Sequence, residues 1–544
     1  MKLLKIFLSF TLFISVSVSS QNTIGVLSNS VDALNGYSLF TYLKETYLIN
    51  NCGEVVNQWT SNFNSGRSVY LLENGNLLRA ANIPNPGNIA IPGFGGRIEL
   101  FDWDNNLLWE YEYSTENVVQ HHDIFPMPNG NVLILAASIL TDTEAIQLGR
   151  DPVNLGTQLY NEQILELEPV DNNDANIVWQ WDIKDHLIQD FDNTKDNFGV
   201  IADNPQRLDI NYLGGSIIGS ANWLHANSVQ YNAQLDQIII SIRFLNEFYI
   251  IDHSTTTSQA STSSGGVYEK GGDLLYRWGN PIAYQQGTVD DQKLFGQHHP
   301  HWIAEGLTDA GKIIVFNNGW NRTPSFSEID IINPPVSAPG VYSYTANSAY
   351  GPTNPDYIYT APVSTDFYSA ILSGAQRIAN GNILICEGTS GYFFEIDSNN
   401  NIVWEYINPV GATGIMTQGD DPSTSSNSIF RVKKYPQEYS AFVGKDLTPS
   451  APIELNPDLS NCSVLAIEES ELTEVNIFPN PVTDKLTITS IEEIVKIEIY
   501  NSLGKLIKNN INKNDINTEN LSSGIYIIKI FSVDKIANKK IIKI

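Results

Sequence analysis

Short runs of apolar, β-branched and aromatic residues alternate with polar turn residues along most of the chain, and helical periodicity is scarce. One pattern recurs: an apolar run, a polar turn, and then a run that contains an aromatic residue. It occupies residues 98–111, 164–181 and 394–406, and looser copies end at Trp59, Trp278 and Tyr359. Runs of this length and composition predict antiparallel hairpins.

A second pattern consists of Asn-Gly turns that precede apolar runs, at residues 74–75, 129–130 and 380–381. Asn-Gly accepts the positive φ angles of a tight hairpin. Two hairpins per repeat make a four-stranded sheet, and a series of such sheets buries its faces by radial stacking. The sequence therefore predicts an all-β fold, with a six-bladed β-propeller over residues 21–460. A β-sandwich with insertions is the alternative, which the repeat spacing disfavours.

The N-terminus has the pattern of an export signal. Lys2 and Lys5 precede an apolar run over residues 6–18, which ends at Ser19 and Ser20. A basic start, a short apolar segment and small residues predict a signal peptide over residues 1–20. Later segments lack the roughly 18 apolar residues of a membrane helix, so no membrane span is predicted.

The last segment, residues 474–544, follows an acidic linker at 461–473. Its motifs, in order, lie at residues 476–482, 497–504, 521–526 and 539–543. This order resembles the C-terminal sorting domain of the type IX secretion system of Bacteroidetes. The resemblance implies a small β-sandwich and handling by the type IX secretion machinery. It further implies passage through the periplasm to a secreted or cell-surface location.

Charge is distributed unevenly between the two predicted domains. The last 71 residues carry 10 Lys and Arg against 8 Asp and Glu, whereas the preceding residues carry 21 against 52. A body this acidic repels phosphate backbones, which disfavours nucleic acid as a partner. In an exported chain, Cys52 and Cys462 are candidates for a disulfide that joins the ends of the large domain, and Cys386 lies in an apolar run as a buried thiol.

Six of the eight histidines fall in three clusters, each predicted to come just before a strand: His121 and His122, then His225, then His298, His299 and His301. In a propeller such positions lie near the central axis, where residues distant in sequence converge. Two chemistries suit them: a metal site, or acid–base and nucleophilic work on an anion. The alternative is that these histidines only form hydrogen bonds with buried polar groups and take no part in chemistry.

The second cluster favours the anion. Asn227 and Arg243 follow His225 by 2 and 18 residues, with a turn and an apolar strand between. A hairpin of that length brings Arg243 back toward His225. The guanidinium offers a planar fork of donors for an oxyanion such as sulfate or phosphate.

The pattern His-x-Asn with a later Arg, the preceding His-His-Asp and the later Gln-His resemble the bacterial aryl-sulfate sulfotransferases over roughly residues 66–409. The resemblance implies a six-bladed propeller. It also implies transfer of a sulfuryl group from a phenolic sulfate ester to a phenol, without a nucleotide donor or cofactor. A histidine is sulfated transiently.

Carried over by residue, the resemblance implies that His298 is the nucleophile and that His225, Asn227 and Arg243 bind the sulfuryl oxygens. His122, or His121 beside it, is a further donor or acid–base partner. Other positions expected near the substrate are Thr389, Ser390, His301 and Arg377. His301 is an alternative nucleophile, and Arg377 alternatively pairs with an acidic neighbour.

The sequence thus predicts a secreted sulfotransferase with small-molecule aryl sulfate and phenol substrates. Two other hypotheses remain: a propeller that binds a ligand or surface partner without turnover, and a metal-dependent hydrolase that uses the histidine clusters.

Overall fold

The structure is a computed structural model that describes residues 22–87, 89–462, 470–471, 475–490, 493–501, 505–510, 515–532 and 535–544. The chain packs as two units, Met1–Cys462 and Ser463–Ile544, and strands dominate both. The all-β prediction is confirmed. The predicted signal peptide, residues 1–20, and most of the predicted linker, residues 461–473, lie outside the described residues.

The strands of the first unit are short and follow one another along the chain. They are β1 Gly25–Asn29, β2 Gly36–Tyr42, β3 Glu45–Ile49, β4 Val55–Thr60, β5 Asn64–Leu71, β6 Leu77–Asn82, β7 Gly96–Phe101, β8 Leu107–Glu112, β9 Val118–Pro126, β10 Val132–Thr141, β11 Gln158–Val170, β12 Asp174–Asp182, β13 Leu187–Ile188, β14 Leu208–Asp209, β15 Ala226–Asn232, β16 Gln237–Ile242, β17 Glu247–Asp252, β18 Tyr276–Trp278, β19 His298–Trp302, β20 Ile313–Asn317, β21 Glu328–Ile332, β22 Val336–Ala338, β23 Val341–Tyr342, β24 Tyr357–Tyr359, β25 Gly374–Arg377, β26 Ile383–Glu387, β27 Tyr392–Ile396, β28 Ile402–Ile407, β29 Val410–Gly411, β30 Gly414–Ile415 and β31 Lys433–Pro436.

Helices are short and lie in the connections. The α-helices are α1 Asp142–Gln147 and α2 Thr257–Ala260. Single 3-10 turns are Pro152–Asn154, Ile183–His186, Ile201–Asp203, Pro281–Tyr284, Val289–Asp291, Ser364–Asp366, Pro422–Thr424, Ser440–Phe442 and Leu459–Asn461. In the part of the chain that the structure describes, no helix has the length and apolar character needed to cross a membrane.

Six antiparallel sheets carry most of these strands. Sheet 1 has the order β31-β2-β3-β4, sheet 2 is β5-β6-β7-β8, sheet 3 is β9-β10-β11-β12, sheet 4 is β15-β16-β17-β18, sheet 5 is β19-β20-β21-β24, and sheet 6 is β25-β26-β27-β28 with β1 added at its edge. Strand β2 of sheet 1 contacts β5 of sheet 2, and the first strands of sheets 2 to 6 contact one another in succession, β5 with β9, β9 with β15, β15 with β19 and β19 with β25. Side chains on these first strands are therefore brought near one another.

The predicted repeat corresponds to the sheets. The aromatic runs that end at Trp59, Trp278 and Tyr359 are the outermost strands β4, β18 and β24, and the three stronger copies supply β8, β12 and β28. The Asn-Gly turns join the first two strands of sheets 2, 3 and 6, and their glycines have φ near +90°. Such φ angles favour glycine because a Cβ would be strained there.

Apolar clusters fill the space between successive sheets. Leu39 of sheet 1 shares a cluster with Leu77 of sheet 2, and equivalent clusters lie between sheets 2 and 3, 3 and 4, 4 and 5, and 5 and 6. A sixth cluster joins Phe393 of sheet 6 to Phe40 of sheet 1, with ring centroids 5.3 Å apart. Each sheet therefore buries apolar side chains against two neighbours, which is the main stabilising contribution to this unit.

In each sheet an aromatic side chain on β4, β8, β12, β18, β24 or β28 donates a hydrogen bond to the following sheet or to a connection beside it. The donors are Trp59 to the Asp102 carbonyl, Trp109 to the Asp174 carbonyl, Trp179 to the Thr255 hydroxyl, Trp278 to the Pro352 carbonyl, Tyr357 to the Asn400 amide oxygen and Trp404 to the Asn51 carbonyl. The last of these runs from sheet 6 to sheet 1. The repeated tryptophans therefore pair with neighbouring sheets while their rings fill the core.

The two ends of the first unit are interwoven. β1 pairs with β28 in sheet 6, and β31 pairs with β2 in sheet 1. Cys52, in the turn between β3 and β4, forms a disulfide with Cys462, as hypothesised from the sequence. Cys386 is a buried free thiol in β26, also as predicted, and burial raises its pKa.

The second unit has two sheets around one apolar core. Its strands are β32 Ser470–Glu471, β33 Asn476–Phe478, β34 Lys485–Thr489, β35 Lys496–Asn501, β36 Leu506–Asn510, β37 Asp515–Asn517, β38 Gly524–Phe531 and β39 Lys535–Lys543. One sheet has the order β32-β39-β38-β35-β36 and the other β33-β34-β37. Leu486 and Ile488 of the smaller sheet share a buried cluster with Ile497 and Ile528 of the larger one.

Candidate active site

A cavity of about 580 Å³ lies where the first strands of sheets 2 to 6 approach one another. His122 of β9, His225 just before β15 and His298 of β19 line this cavity together with Arg243, which follows β16. The His122 and His225 rings are 5.0 Å apart between centroids. Four predicted site residues from three sheets thus share one pocket. We call this space the central cavity.

The backbone is irregular at each of the three histidine clusters. His122, His225 and His299 have φ of 53°, 53° and 55°, and the strand pairing shifts register beside each cluster. His121 and His122 lie inside β9 and His298 lies inside β19, so the prediction that each cluster precedes a strand is wrong for these two. β-bulges bend the strand and re-aim its side chains, which turns polar residues toward a central space.

The proximity of Arg243 and His225, predicted from hairpin length, is confirmed. β15 and β16 pair with Ala226 opposite Ile242, and the backbone N–H of Arg243 donates to the His225 carbonyl at 3.2 Å. The pairing register fixes both residues at the same end of the hairpin.

Arg243 is a buried cation without a carboxylate partner. Its side chain is stacked 4.4 Å from the Trp320 ring, and its Nη2 donates to the Ala370 carbonyl at 3.2 Å. Among the described residues no acidic group lies within ion-pairing distance of it, and its buried Nε has no hydrogen-bond partner. Burial lowers the pKa of Arg243 to about 10, so the guanidinium still carries its charge at neutral pH. An anion in the cavity would compensate that charge.

His298 is held in one tautomer by Asn318. The Asn318 amide nitrogen donates to the carbonyls of Ser369 (2.7 Å) and Leu372 (3.1 Å), so the amide oxygen faces His298 Nδ1 at 2.7 Å. An amide oxygen only accepts, and Nδ1 therefore carries the proton while Nε2 keeps its lone pair. Burial, with a smaller effect of Arg243, lowers the pKa of His298 to about 3, so the ring stays neutral.

Asn318→Asp is expected to make the activity of this site sensitive to acid. A carboxylate beside Nδ1 favours the imidazolium, so the pKa of His298 rises from about 3 and Nε2 is protonated at mildly acidic pH. The rate of any reaction that uses the Nε2 lone pair then falls as pH decreases, which a pH–rate profile from about pH 5 to 9 measures. Asn318→Leu, which removes the acceptor without adding charge, should lose rate at every pH. An Asp variant with the wild-type profile would contradict the assignment.

His225 has the opposite tautomer. The Asn222 amide nitrogen lies 3.0 Å from His225 Nδ1, so Nδ1 accepts and the neutral ring carries its proton on Nε2. Burial, followed by the charge of Arg243, lowers the pKa of His225 well below its ordinary value. His225 is therefore a neutral hydrogen-bond donor beside a neutral imidazole, His298, that offers a lone pair.

His122 belongs to a buried chain of polar groups. His122 Nδ1 is 2.8 Å from His121 Nδ1, and His121 Nε2 is 2.9 Å from Glu162 Oε2. The other Glu162 oxygen accepts from the backbone N–H of Ala226. His121 is fully buried beneath His122 and does not line the central cavity. Burial lowers the pKa of His122 well below its ordinary value, with a smaller contribution from His225.

Asn227 does not line the central cavity but stabilises the backbone next to His298. It is fully buried and its amide nitrogen donates to the Gln297 carbonyl at 2.8 Å, directly before His298 in the chain. Gln297 in turn donates to the carbonyls of Ile242 and Glu247. Asn227 therefore fixes the backbone that carries His298 relative to the strand that leads to Arg243.

Four other predicted site residues do not line the central cavity. His301 lines a separate cavity of about 490 Å³, Arg377 pairs with Asp309, and the Ser390 hydroxyl donates to the Glu387 carboxylate. The Thr389 hydroxyl lies 2.9 Å from the Ser369 hydroxyl. The backbone carbonyl of Ser369 accepts a hydrogen bond from the Asn318 amide. Thr389 is thus linked to His298 only through other side chains.

The sequence analysis missed several residues of the site, of which Arg67 and Trp320 line the central cavity while Asn318 and Glu162 contact the histidines. Asn318 and Trp320 follow β20 in an Asn-Asn-Gly-Trp turn, Arg67 lies in β5, and Glu162 lies inside β11. The Asn-Asn-Gly-Trp turn resembles an ordinary hairpin signal, and Glu162 is one of 60 acidic residues, so nothing local distinguished them. Within the described residues, no group of three or more His, Cys, Asp and Glu is arranged to hold a metal ion.

Comparison with known families gives two matches. The family model described as arylsulfotransferase (ASST) matches residues 27–424, which is more than half of the chain. The model described as a secretion system C-terminal sorting domain matches residues 476–544. No curated protein matches the chain.

Solved structures give only distant likenesses. A protein of unknown function from Bacteroides caccae is 11% identical with a TM-score of 0.38, over 74% of this chain and 98% of that one. A functionally unknown protein from Desulfotomaculum acetoxidans is 8% identical with a TM-score of 0.34, over 74% of this chain and all of that one. Likenesses at this level carry no argument about function.

Proposed function

The chain belongs to the arylsulfotransferase family and ends in a type IX sorting domain that directs it to the cell surface or the extracellular space, and on this premise we propose its reaction. The enzyme moves a sulfuryl group from a phenolic sulfate ester to a phenol through a sulfated histidine, with His298 as the nucleophile. One observation carries the proposal: a buried, unpaired guanidinium shares a cavity with neutral imidazoles of complementary tautomers.

In the first half-reaction, His298 Nε2 attacks the sulfur atom of the ester. The N–S bond forms as the bond from sulfur to the aryl oxygen breaks, and the aryloxide leaves with the electron pair and takes a proton from solvent. Arg243 and the Nε2–H of His225 donate to the sulfuryl oxygens, whose charge builds in the transition state. Proton release from Nδ1 is not needed, because Asn318 Oδ1 accepts its hydrogen bond throughout.

In the second half-reaction a phenol occupies the place of the aryloxide. His122 Nε2 takes the phenolic proton while the oxygen attacks sulfur and the N–S bond breaks, which restores His298. When His121 donates from Nε2 to Glu162 and accepts at Nδ1 from His122, the Nε2 lone pair of His122 is free to act as a base. The proton gained by His122 then returns to solvent.

The walls of the central cavity suit an aryl ring. Trp320, Phe244, Ile371 and Leu372 line it beside the polar groups. Aromatic and aliphatic side chains bind a phenyl ring by burial of apolar surface, and the few polar groups fix its orientation.

We also propose that the six sheets of the first unit form a six-bladed β-propeller. Six apolar clusters lie between successive sheets, and the sixth lies between sheets 6 and 1. The hydrogen bond from Trp404 to Asn51 likewise runs from sheet 6 to sheet 1. Interweaving of β1 and β31 supports the same arrangement, since it fastens the last sheet to the first.

The experiment is a transfer assay with a quench. The full chain is incubated with 4-nitrophenyl sulfate and a phenol, nitrophenolate release is followed by absorbance, and the protein is quenched in alkali for peptide mass spectrometry. Acceptor-dependent release and one sulfated histidine at position 298 are expected. Ligand binding without release would support a binding protein, and release abolished by a chelator would support a metal-dependent hydrolase.

A further inference from the structure

The central cavity has a second arginine that the proposed reaction does not use. Arg67 lies in β5 of sheet 2, and β5 contacts β9, the strand that carries His122. Its backbone has φ of 98°, and the pairing of β5 with β6 shifts register around it. A positive φ at a residue with a side chain is strained and is retained where the surrounding structure enforces it.

No described residue pairs with the Arg67 guanidinium. The described residues offer it no ion pair within 4.0 Å and no side-chain hydrogen bond; only its backbone N–H is bonded, to the Ser65 hydroxyl. Burial lowers its pKa, although arginine stays charged at neutral pH. Its charge is close enough to His122 to contribute to the low pKa of that ring.

Arg67 also lines a second cavity, of about 340 Å³, called the side pocket below. Hydroxyl and amide side chains surround it, among them Tyr42, Asn64, Asn82 and Ser428. Of the described residues that line the side pocket and the central cavity, none is Asp or Glu, although the chain has 60 acidic residues and a net charge of −29. The two spaces, which share Arg67 in their linings, therefore lack the acidic side chains that give the rest of the chain its negative charge.

We propose that Arg67 and the side pocket bind an anionic substituent, a carboxylate or a second sulfate, on the aryl substrate. This rests on the proposed function, because the substituent belongs to the aryl ring whose sulfuryl group Arg243 is proposed to bind, and both arginines line the central cavity. One guanidinium then holds the group that is transferred, and the other selects the aryl ring that donates or accepts it, since donor and acceptor rings occupy the same place in turn. The hydroxyl and amide donors of the side pocket complete the hydrogen bonds of the anion.

The test compares acceptors that differ only in charge. 4-Hydroxybenzoate and 3-(4-hydroxyphenyl)propionate are each paired with their neutral amides, with 4-nitrophenyl sulfate as the donor. A charge-assisted hydrogen bond corresponds to roughly a 10- to 100-fold preference, so kcat/KM should favour at least one anion by that factor. In Arg67→Gln the ratio of anion to amide should fall to about one. Arg67→Lys should keep part of the preference.

Arg207→Gln is the matched control, since it removes the same charge at a residue that lines neither cavity. Its acceptor ratio should equal that of the wild type. Equal ratios in the wild type and Arg67→Gln for both acid–amide pairs would overturn the proposal while leaving sulfuryl transfer intact.

A binding measurement separates this proposal from the reaction. 4-Methoxybenzoate and 4-methoxybenzamide cannot be sulfated, and calorimetric titration gives their affinities for the wild type and Arg67→Gln. Preference for the anion in the wild type only would support the side pocket even if no transfer is detected. Equal affinities of the two probes for the wild type would overturn it.

Discussion

Replacement of His298 by alanine is expected to lower kcat for sulfuryl transfer by about 10⁴-fold or more, because the variant has no atom that can carry the sulfuryl group. Asn318 leaves the Nε2 lone pair of His298 available, and the pKa of about 3 keeps the ring unprotonated over the physiological range. The measurement is steady-state release of nitrophenolate in the presence of a phenol, with mass spectrometry of the quenched protein.

His301→Ala separates the two nucleophiles considered from the sequence. His301 donates from Nδ1 to the His299 carbonyl and lines a different cavity from Arg243. Sulfation of His298 should therefore persist in that variant, whereas His298→Ala should show no sulfated histidine. Loss of modification in His301→Ala with normal folding, or turnover by His298→Ala, would refute the assignment of His298.

Replacement of Arg243 by methionine is expected to lower kcat/KM for the aryl sulfate by about 10²–10³-fold, the usual loss when one preorganised donor to a transition-state oxyanion is removed. The effect is large because the guanidinium is only 5% exposed and stacked on Trp320, so water does not screen its charge. Arg243→Lys should recover part of the rate, since an ammonium supplies charge without the planar fork.

The Arg243→Met substitution, which lowers activity, should not lower the stability of the protein. A buried cation without a carboxylate partner carries a desolvation cost, and methionine of similar length removes that cost. The unfolding temperature of Arg243→Met, measured by calorimetry, is therefore expected to equal or exceed that of the wild type. Arg207→Met, at a residue outside the cavity, should retain activity. A destabilised Arg243→Met variant would mean that the guanidinium has a structural role instead.

Much of the architecture was accessible from local patterns. Trp59, Trp109, Trp179, Trp278 and Trp404 mark the aromatic run of the repeat in the sequence and lie in β4, β8, β12, β18 and β28 of the structure, because strand alternation and Asn-Gly turns depend on neighbours in the chain. The meeting of His225 with Arg243 was also predictable, since both belong to one hairpin and its length determines the register. The sorting domain could be identified because its motifs are contiguous.

The sequence by itself determined the all-β class, the repeat, the exported character and the residue types capable of anion chemistry. Only the tertiary structure decided which histidine has which tautomer, because Asn318 lies 20 residues from His298 and Glu162 lies 41 residues from His121, and even Asn222, three residues before His225, meets that ring only through the local fold. It also separated His301 from His298, only three residues apart, by a bulge in β19. A hydrogen bond between distant segments depends on how sheets pack, and no short-range pattern encodes that packing.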